Sequence, residues 1–322
     1  MNQNTKHVFI VNPAAGKGEK QAELREQIDR VCLEKGVDYQ IHVTSASGQT
    51  TEYVREYCSQ NPDTELRFYA CGGDGTLSET VNGAYGFAHA SVGVIPVGTG
   101  NDFVRNFEGN EAFLDVAAQL DGETMQMDLL QYNDKFCINM VNIGFDCEVV
   151  KQTAKLKRSK LIPGSMAYIA GLVITLVRKP GVRAFVSVDG GDVQERRMLL
   201  TAVANGSWCG GGFHSTPLAL LHDGVMDILL IKNVSRIRFL TLVKSYKTGT
   251  FVDDKKARQV IDYVKCQSIR YSFEGTQSIC VDGEITEVDD LEIRSAQNAL
   301  RLVVPRGVAY QPTEQELPVG IY

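Results

Sequence analysis

Four glycine-rich segments carry the side chains of this sequence that could do chemistry. The central segment, Cys71 to Thr76, places Asp74 among three glycines directly after the apolar run from Leu66 to Ala70. Backbone amides in such a loop can hold phosphate groups, but an aspartate among them would repel the phosphates unless a cation lay between. This combination predicts a site for a metal-bound nucleotide triphosphate and favours a kinase.

The other glycine-rich segments are residues 12–17, 96–102 and 210–212. A P-loop would need Gly-x-x-x-x-Gly-Lys-Ser/Thr, which no segment has, and a dinucleotide fingerprint would need glycine or alanine where Ser78 stands. Lys17 is interpreted either as a phosphate ligand or as a solvated loop cation. Gly210 to Gly212 form either a backbone close to a ligand or a bulge or hinge.

Alternating strand and helix patterns position the first three of these segments. Apolar runs at 8–11, 39–43, 66–70 and 92–97 have the character of buried strands, and helical spacing follows each of the first three. This alternation predicts an α/β N-terminal domain with a parallel doubly wound sheet. Ligands bind such sheets at the carboxyl ends of the strands, where the glycine segments lie.

The second half of the sequence has a different pattern of secondary structure. Short strand-like runs separated by turns occupy 183–189, 198–205, 225–232, 269–273, 278–282, 291–295 and 299–304. They predict a mostly antiparallel β-sandwich second domain, with two helices near 161–178 and 236–248 and a cap at Ser235. The expected division is 1–128 for the nucleotide-binding domain, with 305–322 returning to it, and 129–304 for the second domain.

Composition and charge exclude some classes of protein. Of 322 residues, 43% are hydrophobic and 22% are charged, and the net charge of −6 argues against a nucleic-acid partner. Eight scattered cysteines and a polar N-terminus favour a reduced, cytoplasmic protein. Basic residues between Lys151 and Lys160 form either a solvated helix face or a patch for anionic lipid head groups.

Six motifs in order carry a resemblance to a known family. They are Asn12-Pro13, Gly72-Gly73-Asp74-Gly75-Thr76, Gly98-Thr99-Gly100-Asn101-Asp102-Phe103, Gly210-Gly211-Gly212, Asp223-Gly224 and Asp282-Gly283-Glu284. From about residue 8 to about residue 310 the chain resembles the diacylglycerol kinase catalytic-domain family, which includes sphingosine and ceramide kinases. The resemblance implies ATP as phosphoryl donor and Mg²⁺ as cofactor.

The resemblance also implies roles for individual residues. Glu284 resembles the general base for a lipid hydroxyl, and Asp74 and Asp102 resemble acids near the triphosphate and its Mg²⁺. Asp223, with the carbonyls of Leu220 and Val225, resembles a structural metal site. The implied nucleotide-binding residues are Asn12, Pro13, Ala14, Ala15, Gly16, Lys17, Thr44, Gly72, Gly73, Asp74, Gly75, Thr76, Leu77, Ser78, Thr99, Gly100 and Asn101.

We therefore expect an ATP-dependent lipid kinase that docks transiently on a membrane and phosphorylates a lipid hydroxyl, first of all diacylglycerol. The alternatives are a kinase of another lipid or of a soluble substrate, as in NAD kinase, and a catalytically silent nucleotide-binding regulator. A homodimer is left open. Judged without the resemblance, Asp282-Gly283 has the composition of a hairpin turn, with Glu284 as its solvated flank, and Asp128 is either a site acid or a cap.

Overall fold

A computed structural model of the chain describes residues 5–16, 19–45, 48–158, 164–178 and 181–310. The described residues divide into two compact units: unit 1 comprises 5–129 and 297–310, and unit 2 comprises 130–296. The chain returns to unit 1 at Gln297 rather than at residue 305, because one uninterrupted strand carries it there. Residues 311–322, part of the expected return, lie outside the described residues.

Unit 1 is built on a parallel sheet. Its strands are β1 (Thr5–Val11), β2 (Asp38–Val43), β3 (Glu65–Gly72), β4 (Ala90–Pro96) and the beginning of β5 (Glu123–Tyr132). Its helices are α1 (Glu19–Lys35), α2 (Gln49–Gln60), α3 (Asp74–Ala84) and α4 (Val116–Leu120). The order β2-β1-β3-β4 is parallel throughout, which confirms the doubly wound sheet. The strand order reverses between β1 and β3, and the crevice at such a point is where these folds bind ligands.

Local sequence explains the boundaries of these elements. Apolar residues of β1 and β3 are fully buried, as strands covered on both faces must be. Helix α1 ends before Gly36, whose φ of +62° is the left-handed conformation that glycine adopts readily. Asp115 caps α4 by accepting hydrogen bonds from the amides of Ala117 and Ala118.

Unit 2 is mostly antiparallel. Its strands are the end of β5, then β6 (Lys135–Cys137), β7 (Met140–Gly144), β8 (Val182–Val188), β9 (Gln194–Ala204), β10 (Trp208–Cys209), β11 (Phe213–His214), β12 (Met226–Lys232), β13 (Ile261–Cys266), β14 (Ser268–Val281) and the first part of β15 (Glu284–Val304), whose last part, from Gln297, belongs to unit 1. Its helices are α5 (Phe145–Arg158), α6 (Gly164–Arg178) and α7 (Arg236–Thr248). Strands β9 and β14 each pair with β8 along one part and with β7 along another, so the sheet folds back on itself. The apolar side chains inside that fold confirm the predicted sandwich.

Several elements differ from the sequence prediction. Helices α4 and α5 and strands β5, β6, β7, β10, β11 and β13 were not among the predicted elements, although a helix face was one interpretation of the basic run in α5. The runs 269–273 and 278–282 belong to one strand, β14, interrupted by a register irregularity between Ser272 and Gln277. The runs 291–295 and 299–304 are likewise parts of β15. Long strands with exposed, irregular middles look like two short strands in a sequence.

Helix α7 follows its prediction closely. The Ser235 side chain accepts a hydrogen bond from the amide of Arg238, and Gly249 ends the helix with a φ of +74°. Within the described ranges, none of the helices combines the length and the apolar content needed to cross a bilayer.

Candidate active site

Three loops at the carboxyl ends of the parallel strands are bonded to one another in unit 1. The amide of Asn12, just after β1, donates to the carbonyl of Cys71 in β3 at 3.1 Å. The Asn12 side-chain amide donates to Thr76 Oγ1 at 3.0 Å, in the first turn of α3. Buried Thr44, after β2, donates its amide to Val11 O at 2.9 Å. The strand order thus places the Asn-Pro loop directly beside the Gly-Gly-Asp-Gly-Thr loop.

Glycines allow close backbone contacts with the loop after β4, residues 96–102, which is called the third loop; the Asn-Pro loop is the first and the Gly-Gly-Asp-Gly-Thr loop is the second. The amide of Gly98 donates to Gly72 O at 3.1 Å. A Cβ added to Gly98 would lie 2.4 Å from Gly73 Cα, and a Cβ added to Gly16, at φ +67°, would lie 2.7 Å from Val97 O. No other residue type fits at these two positions without displacing backbone. The loops therefore form one continuous backbone surface.

The N-terminus of α3 opens onto this surface. Gly73 is the N-cap, in extended conformation, and as a glycine it has no side chain that could cap the helix. The first amides of a helix point outward along its axis, and the helix dipole gives them partial positive charge. This arrangement suits an anion, and phosphate groups bind such helix starts in many nucleotide enzymes.

The carboxylate of Asp74 ties the second loop to the third. Its Oδ2 accepts a hydrogen bond from the amide of Asp102 at 3.3 Å, and its Oδ1 accepts one from the amide of Phe103 at 3.4 Å. Asp102 is buried and forms an ion pair with Arg105 Nε at 3.3 Å. Two carboxylates are thus held side by side in the loop structure, one by backbone amides and one by a guanidinium.

Asn101 closes the third loop on itself. Its φ of +50° is left-handed, a conformation that asparagine tolerates better than most residues. Its side-chain amide donates to Pro96 O at 2.9 Å and to Gly98 O at 3.1 Å. Its Oδ1 is buried with no hydrogen-bond partner among the described residues. Such an oxygen is available as a ligand for a cation or for a donor group.

The structure gives different positions to the other predicted nucleotide ligands. Leu77 has a buried side chain, and its amide is bonded to Gly73 O at 3.1 Å within the helix, so it offers no donor. Pro13, Ala14 and Thr99 are exposed. Ala15, Gly75, Ser78 and Gly100 are half-buried. Lys17 lies outside the described residues.

Asp282 and Gly283 form the tight turn of a β-hairpin in unit 2. Both have positive φ, +46° and +90°, and Val281 pairs with Glu284 across the turn. The Asp282 carboxylate accepts hydrogen bonds from the amides of Ile138, Asn139 and Met140 at 2.9 to 3.1 Å. Burial raises the pKa of Asp282, and these amide bonds oppose that rise. Asp282 therefore anchors the turn, while Glu284 stands exposed at the start of β15.

The predicted structural metal site already holds a cation of its own. Lys265 Nζ lies 2.8 Å from Asp223 Oδ2 and 3.4 Å from Asp227 Oδ2. The other oxygen of Asp223 accepts a hydrogen bond from the amide of Val225 at 3.2 Å. An ammonium group beside both acids does not suit a metal ion, which would require Lys265 to leave. The metal assignment of Leu220, Asp223 and Val225 stays a prediction, and the arrangement does not fit it.

We expect Lys265→Gln to destabilise the protein at pH 7.5 by about 3 kcal/mol, because it leaves buried Asp227 without its counter-charge. Burial raises the pKa of Asp227 to about 6, and Lys265 opposes that rise. An acid whose folded pKa is raised destabilises the fold as pH rises from its unfolded pKa, about 3.9, through the folded value. The free energy of unfolding lost in Lys265→Gln should therefore be largest above pH 6 and should disappear near pH 4. Urea unfolding of the variant and the wild-type protein across this pH range measures this difference.

The matched control is Lys232→Gln, on neighbouring β12, whose pair with Asp262 at 2.9 Å is more exposed. We expect it to cost less than about 1 kcal/mol.

The thermal unfolding midpoint of the wild-type protein should be the same in EDTA as in MgCl₂ or CaCl₂. A wild-type protein that loses stability in EDTA and binds one divalent ion per chain without nucleotide would restore the metal assignment.

Two polar residues, Asp146 and Arg105, belong to none of the motifs described in the sequence. Asp146, in the first turn of α5, accepts a hydrogen bond from the Tyr246 hydroxyl at 2.8 Å, and burial raises its pKa to about 6. Arg105 pairs with Asp102 one helical turn earlier. An acid that titrates near neutral pH is a candidate functional group. The sequence feature that points to Asp146 is its position two residues after Gly144, where β7 ends.

The remaining predicted segments have structural partners. Gly210, Gly211 and Gly212 all have positive φ and form the loop between β10 and β11. Asp128, interpreted as a site acid or a cap, accepts a hydrogen bond from the amide of Asn298 at 2.7 Å within unit 1. In the basic run, Lys151 donates to Ser278 Oγ at 2.8 Å, and Lys160 lies outside the described residues. The contacts of the described residues in these segments are structural, and the ligand interpretations of the glycine loop and of the basic run stay predictions.

Two family descriptions match the chain. The diacylglycerol kinase catalytic domain matches residues 6–132, and the YegS C-terminal NAD kinase beta sandwich-like domain matches residues 139–304. The boundary between the two matches lies close to the boundary between unit 1 and unit 2.

Named relatives cover most of the chain. A protein named "Diacylglycerol kinase" from Bacillus subtilis (strain 168) is 26% identical over 308 residues, 94% of this chain and 97% of the relative. A "Probable lipid kinase YegS-like" from Enterobacter sp. (strain 638) is 30% identical over 247 residues, 74% of this chain and 80% of the relative. A solved structure from Bacillus anthracis str. Sterne has a TM-score of 0.74 and 25% identity, with 94% of this chain and 98% of the other covered.

Proposed function

The chain belongs to the diacylglycerol kinase catalytic-domain family and is a lipid kinase, and from this premise we propose that it converts diacylglycerol to phosphatidic acid with ATP. The observation that most supports ATP as the donor is the contact of Gly73 with Gly98 beside the uncapped start of α3. Backbone amides and a helix N-terminus hold phosphates without regard to the acceptor. The nucleotide is therefore assigned to the loops of unit 1.

Magnesium fits the oxygen-rich part of these loops. Mg²⁺ prefers hard oxygen ligands and is commonly bound by one or two carboxylates together with substrate phosphates. Asp74, Asp102 and the buried Oδ1 of Asn101 offer such oxygens, and no cluster of three or more acidic, histidine or cysteine ligands occurs among the described residues. When bound, the ion would neutralise charge on the triphosphate. We propose Asp74 and Asp102 as its protein ligands.

The transfer itself needs an activated alcohol. The lipid hydroxyl oxygen forms a bond to the γ-phosphorus, the bond from that phosphorus to the β–γ bridging oxygen breaks, and ADP leaves with the electron pair. The hydroxyl proton passes to the Glu284 carboxylate as general base. This role for Glu284 rests on its place in the Asp-Gly-Glu motif, and its exposure leaves the carboxylate accessible to a substrate.

Diacylglycerol is proposed over other lipids because the Bacillus subtilis relative, which aligns with 94% of this chain, carries that name. The expected acceptor lies in a bilayer, so the enzyme would act at a membrane surface and leave it between turnovers.

The experiment that tests the function is transfer of radiolabelled phosphate from ATP to a panel of acceptors. The panel contains diacylglycerol, ceramide, sphingosine and monoacylglycerol in detergent micelles, with NAD as the soluble alternative, and each reaction is run with and without MgCl₂. We expect labelled phosphatidic acid as the main product, and only with MgCl₂. A labelled product from another lipid would show that this lipid, and not diacylglycerol, is the substrate. Labelled NADP would show that the acceptor is a soluble molecule and not a lipid. ATP binding without any labelled product would support a silent regulator.

A further inference from the structure

Helices α6 and α7 expose an unusual group of apolar side chains on unit 2. Val173 and Val177 of α6 are 53% and 66% exposed, and Ile237 and Leu240 of α7 are 78% and 56% exposed. The spacings, four residues in α6 and three in α7, place each pair on one face of its helix. These four side chains are called the apolar patch below.

The inward faces of both helices pack against the same apolar cluster, so their outward faces lie side by side. Phe239 and Leu242 of α7 are buried in the same apolar cluster against which Leu176 of α6 packs. The guanidinium of Arg236 donates to the carbonyls of Leu176 and Val177, at 3.1 and 2.6 Å. The last turn of α6 therefore lies against the first turn of α7, and the apolar patch is continuous across the two helices.

The charged side chains of these two helices are all basic. They are Arg178, Arg236, Arg238, Lys244 and Lys247. Neither helix contains an aspartate or a glutamate, although the chain as a whole has a net charge of −6. Along the chain, the next acids are Asp253 and Asp254, beyond the end of α7. The positive charge is thus concentrated where the apolar side chains are exposed.

We propose that the apolar patch and these basic side chains form the surface by which this protein docks on a bilayer containing anionic lipids. An apolar face bordered by lysine and arginine binds at the head-group boundary, because the apolar side chains enter the acyl region while the basic ones pair with lipid phosphates. An acidic protein surface is the other partner that suits basic side chains, and in that case the wild-type protein would not bind the anionic vesicles used below. The inference rests on the proposed function, since it supplies the membrane contact that a lipid acceptor requires.

Vesicle co-sedimentation tests the docking surface. Wild-type protein is mixed with phosphatidylcholine vesicles prepared with or without phosphatidylglycerol, at low and at high salt. We expect binding mainly to the anionic vesicles. Ile237→Gln with Leu240→Gln should reduce the partition coefficient by about tenfold for each apolar side chain removed. Arg178→Gln with Lys244→Gln should reduce it by about fivefold for each charge and should weaken its salt dependence.

The control replaces two apolar side chains that are exposed to a similar degree elsewhere. Leu33, in α1, is 72% exposed, and Val193, between β8 and β9, is 68% exposed. Leu33→Gln with Val193→Gln should leave vesicle binding at the wild-type level. Thermal unfolding of each double variant checks the fold, and glutamine preserves helix propensity in α7.

Kinase activity on a water-soluble short-chain diacylglycerol separates this inference from the proposed function. The patch variants should keep that activity while losing activity on vesicle-borne diacylglycerol. Patch variants that bind anionic vesicles as well as the control variant, or a wild-type protein that binds no vesicles, would overturn the docking surface. Failure of the wild-type protein to phosphorylate the soluble lipid would count against the function instead.

Discussion

Glu284→Gln is expected to lower kcat for lipid phosphorylation by about 10² to 10⁴-fold, the range typical of a lost general base. Glutamine has nearly the shape of glutamate but cannot take the hydroxyl proton. The side chain is exposed at the start of β15, so the substitution should not disturb the fold. The affinity for ATP should stay within about twofold, because the substitution leaves the proposed nucleotide-binding residues unchanged.

The matched control for Glu284 stands on the same strand. Glu287 is exposed, and its nearest cation is Lys151 Nζ at 4.0 Å, a weak surface pair. Glu287→Gln should leave both kcat and ATP affinity unchanged. Single-turnover phosphoryl transfer and equilibrium ATP binding, measured on both variants and on wild type, separate chemistry from binding. Wild-type turnover in Glu284→Gln would remove the residue from the mechanism.

The hairpin at Asp282 shows what a sequence can and cannot reveal about a site. The Asp-Gly pair predicts a tight turn from its composition alone, and the structure has that turn. The sequence gives no sign that the Asp282 carboxylate binds the amides of residues 138–140, because these lie more than 140 positions earlier in the chain. An acid in a motif can therefore be structural while its neighbour carries the proposed chemistry.

Helices α5 and α7 show which helices of this fold could be predicted from the sequence. Helix α7 was predictable because Ser235 caps it and its apolar residues recur at helical spacing. The packed face of α5 mixes the buried apolar residues Phe145, Cys147 and Val149 with buried polar Gln152 and Thr153, so the apolar pattern does not continue along the helix. Gly171 of α6 allows this close packing, since a Cβ there would lie 2.6 Å from Thr153 Oγ1. Helices that pack through small and polar residues escape a search for hydrophobic periodicity.

The link between Asp74 and the third loop is another long-range feature. The order of motifs predicted that Asp74 and Asp102 would belong to one site, because the carboxyl ends of parallel strands meet at one edge of the sheet. It could not predict that Asp74 accepts hydrogen bonds from the amides of Asp102 and Phe103. This geometry gives Asp74 a role beside the proposed metal binding, which is to hold the loop that carries Asn101 and Asp102.

Asp74→Asn should therefore lower kcat/KM by about 10² to 10³-fold, the loss typical of removing one preorganised electrostatic group. Asparagine keeps one oxygen acceptor but turns an NH₂ group toward the second backbone amide, so one of the two bonds to the loop is lost. It also removes one negative charge from the proposed magnesium site, and saturation should require a higher MgCl₂ concentration. Steady-state kinetics across a MgCl₂ titration measure both effects.

Asp115→Asn is the control that distinguishes the site from ordinary loop stability. Asp115 also accepts hydrogen bonds from two backbone amides in unit 1, at the start of α4, but it lies outside the glycine loops. Its replacement should cost at most about 1 kcal/mol of stability and should leave the magnesium dependence unchanged. If Asp74→Asn behaved like Asp115→Asn, with normal turnover and unaltered magnesium saturation, the carboxylate would be only a loop anchor. A shift in magnesium saturation confined to Asp74→Asn would instead support its role at the cation.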